Sequence, residues 1–129
     1  MKRLVFVAVI FVVGVQCLFA QGKGKAVTIT GEVVETQCYV TGMTGPGKGE
    51  SHKECAITCA KNGIPLSILE DKTGTLYLAG QTATAQTGAN KMLLEFVAEK
   101  VKVTGKVFEK GGMKFLLISK VAKVTEDKK

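Results

Sequence analysis

The sequence predicts a mainly β fold: a small five-stranded OB-like barrel, with a helix between strands 3 and 4 and a Cys/His-bearing helical insertion between strands 1 and 2. Three observations carry this expectation. Val27, Ile29, Gly31 and Val33 alternate with Thr28, Thr30 and Glu32, the two-residue period of a half-buried strand. The string then returns, since Val27-Thr-Ile-Thr-Gly-Glu-Val-Val-Glu35 aligns without gaps to Val101-Lys-Val-Thr-Gly-Lys-Val-Phe-Glu109. Each copy has a central glycine, Gly31 or Gly105, the residue expected where a strand bends sharply or bulges. Two copies are too few for a solenoid. They read as two bent strands in similar environments, and strongly bent strands belong to small barrels.

The chain opens with a segment set apart from the fold. Lys2 and Arg3 precede an unbroken apolar run from Leu4 to Val13, and the segment closes at the small residue Ala20. A basic start and a short apolar run read as a secretory signal peptide over residues 1–20. The run falls short of the roughly 20 apolar residues of a spanning helix, so no stable membrane insertion is expected after cleavage. Gln16 is too large to precede a lipidated cysteine, which argues against Cys17 as a lipid anchor. The expected location is periplasmic or secreted. A chain of 129 residues supports one domain, placed at residues 21–129.

The elements follow in order. Ile64 to Leu69 is a short apolar strand, Glu70 to Gly74 a turn, and Thr75 to Ala79 its hairpin partner. Gly80 to Ala89 is small and polar and reads as loop. Asn90 is placed to cap a helix whose apolar positions Met92, Leu93, Phe96 and Val97 fall at helical spacing. Val101 to Glu109 and Met113 to Val121 are strands joined through Lys110-Gly111-Gly112. Three strands, a helix and two strands is the order of an OB-fold. An open sandwich is the competing architecture.

One segment exceeds the minimal barrel: the insertion at residues 37–63. Ser51-His52-Lys53-Glu54 matches a capping box, and Gly63 stands where a helix C-terminus favours glycine. A helix is therefore expected at about residues 52–62, after the glycine-rich loop from Gly42 to Gly49.

This insertion holds the single histidine and, with Cys17 in the leader, the rest of the 4 cysteines. On the expected helix, His52, Cys55 and Cys59 fall within roughly 60° of one face. Cys38, just past the first strand, is placed to face them. Cys38, His52, Cys55 and Cys59 make a Cys3His ligand set for Zn(II), or a thiolate-rich set for Cu(I), with Met43 a further soft donor suited to copper. The competing reading is a disulfide from Cys38 to Cys55 or Cys59, because exported cysteines usually pair. Such a bridge leaves an odd thiol and a histidine on the same stripe unexplained. A thiol redox protein is the third reading, though no CxxC motif supports it.

Thr36-x-Cys38-Tyr39, then His52-x-x-Cys55-Ala56-x-x-Cys59-Ala60, then Gly63-x-Pro65, resembles an uncharacterised family of small exported bacterial OB-fold-like proteins. The resemblance covers about residues 27–121. It implies export and the barrel, and it implies no activity.

Composition excludes other classes. The chain carries 18 Lys plus Arg against 11 Asp plus Glu, but its single arginine, Arg3, leaves with the signal peptide, and the lysines are scattered. Nucleic-acid readers favour arginine and stacked aromatics. Here the aromatics past the leader are Tyr39, Tyr77, Phe96, Phe108 and Phe115 only, so no nucleic-acid role is expected and the lysines read as a soluble surface. No haem-attachment motif, hydrolase elbow or phosphate-binding loop is present. The acidic pairs Glu70-Asp71 and Glu126-Asp127 read as solvated surface, so no catalytic residue is assigned. The expected function is exported metal binding, for copper or zinc handling, with another exported protein as a partner. The alternative is a disulfide-stapled interaction module.

Overall fold

The computed structural model describes residues 22–81 and 88–125. The leader at residues 1–20, most of the Gly80–Ala89 loop and the Glu126-Asp127 pair lie outside the described residues. Five strands, β1 (Lys25–Glu35), β2 (Leu66–Glu70), β3 (Leu76–Gln81), β4 (Lys100–Lys110) and β5 (Met113–Lys123), form a closed barrel in the order β1-β2-β3-β5-β4. Every neighbouring pair is antiparallel except β3 and β5, which run parallel. This is the expected five-stranded OB-like barrel, and closure decides against the open sandwich.

The inward positions of the alternating strands build the core. Ile29 and Val33 of β1, Leu66 and Ile68 of β2, Val101 and Val103 of β4, and Leu116 and Ile118 of β5 are all buried and form one cluster. Along β4 the outward partners, Lys100, Lys102, Thr104 and Lys106, are exposed. That alternation fixes the register, since a slip of one residue would turn Val101 and Val103 to solvent.

The two glycines singled out by the repeat stand where backbones approach closely. Residues 25–32 of β1 pair with β4 and residues 31–35 with β2, so Gly31 lies where the strand passes from one neighbour to the other. A Cβ on Gly31 would run into the carbonyl oxygen of Leu69. Gly105 follows a register shift between Thr104 and Gly105, and a Cβ there would run into the carbonyl of Leu117. Both glycines allow the tight turning that a small closed barrel needs.

Among the described residues, three short helices decorate the barrel: α1 (Thr36–Thr41), α2 (Lys53–Lys61) and α3 (Asn90–Leu93). Helix α1 was not expected from the sequence. α2 matches the expected insertion helix but is entered differently. A 3-10 turn, Glu50–His52, leads into it, and His52 is the N-cap with no side-chain capping bond, so the Ser51 to Glu54 capping box does not form. The His52 amide instead donates to the Gly49 carbonyl at 3.0 Å, and backbone closes the entry that side chains were expected to close.

The helix between β3 and β4 is shorter than its apolar spacing suggests, four α-helical residues followed by the 3-10 turn Leu94–Phe96. Asn90 does not cap it. Its side-chain amide donates to the carbonyls of Ala60 at 3.0 Å and Ile64 at 2.7 Å, and its oxygen accepts the Leu66 amide at 2.9 Å. These bonds hold the exit of α2 against the start of β2. They also explain why β2 begins at Leu66 rather than Ile64: Pro65 has no amide to donate, and the groups on either side of it are taken by Asn90. Met113, the first residue of β5, is exposed at the β4–β5 hairpin.

α2 packs on β1 through Ala56 and Ala60, which are buried one helical turn apart and allow the helix to lie close to the strand. Lys53 at its start reaches Glu99 at 2.8 Å, and Glu99 also pairs with Lys123 of β5 at 2.9 Å. These two lysines hold the Glu99 carboxyl below the usual carboxylate range.

Candidate metal centre

The site is built where β1 ends. Val33 and Glu35 are buried on the inward parity of β1, and Val34 is buried as well because the strand stops alternating as it turns into α1. Glu35 is the N-cap of α1: its two carboxylate oxygens accept the amides of Gln37 at 2.6 Å and Cys38 at 2.9 Å. Gly42 in the left-handed region ends the helix, with its amide bonded to the Cys38 carbonyl at 3.0 Å. These two caps stabilise a six-residue helix too short to persist alone. They also fix Cys38, which is buried, over α2.

The glycine-rich connection then folds back over α1. Gly47, with positive φ, packs so closely on Tyr39 that a Cβ would collide with the Tyr39 backbone. The Gly49 amide donates to Glu32 Oε1 at 2.5 Å, tying the end of the loop to β1. The loop thereby delivers His52 to the buried side of the site, where the side chain is 5% exposed.

Two groups of donor atoms result. The sulfurs of Cys38, Cys55 and Cys59 all lie within 4.8 Å of one another, and so do one donor atom each from Glu35, Cys38 and His52. A tetrahedral ion with sulfur at about 2.3 Å spaces its sulfurs by about 3.8 Å, so this ceiling leaves about an ångström to close. The four residues expected from the sequence thus converge, but in two adjoining trios that share Cys38. Helix periodicity places His52 on the stripe of Cys55 and Cys59, while the 3-10 entry groups it with Glu35 and Cys38. Met43 lies exposed in the loop.

Glu35 is the donor that sequence reasoning missed. The alternation of β1 offered one signal, because Glu35 falls on the same inward parity as Val33. Its burial follows from that position, and its oxygens accept the α1 amides.

The three thiols are free, with Cys38 buried, Cys59 partly buried and Cys55 exposed. The Cys38 thiol is pushed up to about 11, first by its hydrogen bond to Glu35, then by burial and by the charge of Glu35, with a contact to Thr44 pulling the other way. Burial, followed by the neighbouring Cys55, raises the Cys59 thiol as well. In the metal-free chain these thiols therefore hold their protons at neutral pH. A bound cation supplies the positive charge that favours their thiolates, and its binding releases protons.

His52 completes the picture by what it lacks. Its Nδ1 lies 3.5 Å from Thr44 Oγ1, at the limit of a hydrogen bond, and its buried Nε2 has no hydrogen-bond partner. A buried imidazole that spends neither nitrogen well has the profile of a metal ligand.

Fold and site together define a closed five-stranded β-barrel that carries a Cys/His/Glu cluster able to hold a metal ion, on the connection between its first two strands. No protein-family model, no curated protein and no solved structure matches the chain.

Proposed function

We propose that this is an exported metal-binding protein that handles a thiophilic ion, Cu(I) or Zn(II), without catalytic turnover. The observation that carries the reading is the convergence of three free thiols from two elements, α1 and α2, within 4.8 Å. Thiolates select Cu(I) and Zn(II) over hard cations. The apolar, Lys/Arg-led start of the chain supports export to the periplasm or beyond. In that oxidising setting, a bound ion would protect thiols that otherwise pair. The Thr36-x-Cys38-Tyr39 and His52-x-x-Cys55 segments support membership of the small exported bacterial family they resemble.

Native mass spectrometry of protein isolated from the periplasm, with and without thiol alkylation, tests the proposal. A metal adduct whose removal exposes alkylatable Cys38, Cys55 and Cys59 is the expected result. A metal-free mass two hydrogens light would replace it with the disulfide-stapled reading. Substituting Met43→Leu then separates the metals, since thioethers suit Cu(I) far better than Zn(II).

A further inference from the structure

The two donor trios share Cys38, and a single ion on the three thiols leaves the inner trio unexplained. His52 is 5% exposed, yet Nε2 has no partner and Nδ1 has only the 3.5 Å contact with Thr44. The small void that Glu35 and His52 help to line is too tight to admit a water molecule. Water therefore does not reach His52 from that void, and an ion held among Glu35, Cys38 and His52 is the partner that fits.

Charge makes the same point. Once the three thiols ligate as thiolates, they and the fully buried Glu35 carboxylate bring four negative charges together. One divalent ion offsets half of them, and two offset all. Uncompensated charge in a buried site is costly, so the donor set favours two ions. Glu35 retains capacity to bind, because each of its oxygens accepts one backbone amide, and the lone pair that takes the Cys38 thiol proton is released once that thiol is a thiolate. Carboxylate, thiolate and imidazole are together a zinc donor set, whereas a soft monovalent ion has little use for the carboxylate.

We infer that the protein holds two Zn(II) ions bridged by the Cys38 thiolate, an outer ion on Cys38, Cys55 and Cys59 and an inner ion on Glu35, Cys38 and His52. The outer ion rests on the function proposed above, and the inner ion is new. The outer seat opens to solvent at Cys55, while the void beside Glu35 and His52 is enclosed by β1, Ala56 of α2 and the loop that carries Gly47 and Gly49. The outer ion is therefore the one that exchanges, and the inner ion orders the insertion.

Titration of the reduced, metal-free protein with Zn(II), followed by native mass spectrometry, tests this. Two ions per chain are expected in the wild type. His52→Ala should keep one ion, the Cys55→Ser/Cys59→Ser pair should keep one, and Cys38→Ser should hold neither tightly. Circular dichroism establishes that each variant keeps its barrel, and His52→Gln repeats the inner test with the side-chain bulk preserved. One ion in the wild type, held equally well by both His52 variants, would overturn the inner seat and leave the proposed function standing. A wild type that binds a single ion, together with His52 variants that bind none, would overturn the two-ion arrangement in favour of a single four-ligand site. Two ions retained by both His52 variants would overturn the assignment of His52. Failure to bind Zn(II) at all would overturn this inference, and a parallel Cu(I) titration then decides whether the proposed function survives it.

Discussion

The Glu35 carboxylate accepts the backbone amide of Cys38 at 2.9 Å. That bond joins the last residue of β1 to the residue whose thiol both donor trios share, so strand and site are one structural unit. Glu35→Ala should remove the cap of α1 and strand buried amides, costing about 1–2 kcal/mol of stability. It should also weaken metal binding by releasing Cys38 from its place over α2. Urea unfolding with and without metal measures both effects. Unchanged stability would show that α1 is held by something other than this cap.

Thiol reactivity should be graded by depth. In the metal-free protein Cys55, exposed, should alkylate first and Cys38, buried beside Glu35, last. A thiol pushed up to about 11 is protonated throughout the neutral range, so the Cys38 rate should rise about tenfold per pH unit until that value is approached. A short iodoacetamide pulse at several pH values, read by peptide mapping, checks the order and the slope. Equal labelling of Cys38 and Cys55 at neutral pH would contradict it.

Gly31→Val and Gly105→Val each place a branched side chain against a neighbouring strand's carbonyl, that of Leu69 or Leu117. Backbone cannot yield as a flexible side chain can, so each should cost at least about 1–3 kcal/mol. In a domain of this size that is a fall in melting temperature of several degrees or more. Thermal unfolding by circular dichroism decides, and unaltered melting of both variants would refute the close-approach role of these glycines.

The barrel was legible because its information is periodic. The alternation at Val27 to Val33 and its repeat at Val101 each state a local rule that the tertiary structure then obeys, and the helical spacing of Met92, Leu93 and Phe96 is obeyed only as far as Leu93. α1 was illegible because it obeys none. Thr36, Val40 and Thr41 are β-branched and poor helix formers, and the helix exists through its end caps, Glu35 and Gly42. Glutamate is not among the preferred N-cap residues, so nothing at that position announced the cap. Asn90 misled in the opposite way. Its type and place suit a helix cap, but its side chain is committed to Ala60, Ile64 and Leu66, groups supplied by distant parts of the chain. Cys38, Cys55, Cys59 and His52 were readable as ligands from residue type and spacing. Their division into two trios depends on the 3-10 turn Glu50–His52 and the fold-back of the Gly47 loop, which are tertiary facts.

The central claim is that the thiols of α1 and α2 together hold a metal ion. Its most direct test is a titration of the reduced protein with Zn(II) and, separately, with Cu(I), set beside the Cys38→Ser/Cys55→Ser/Cys59→Ser variant under the same conditions. The wild type should bind at least one of these ions stoichiometrically and far more tightly than the variant, with release of thiol protons as it does so. Equal affinities of the two proteins for both ions would contradict the account.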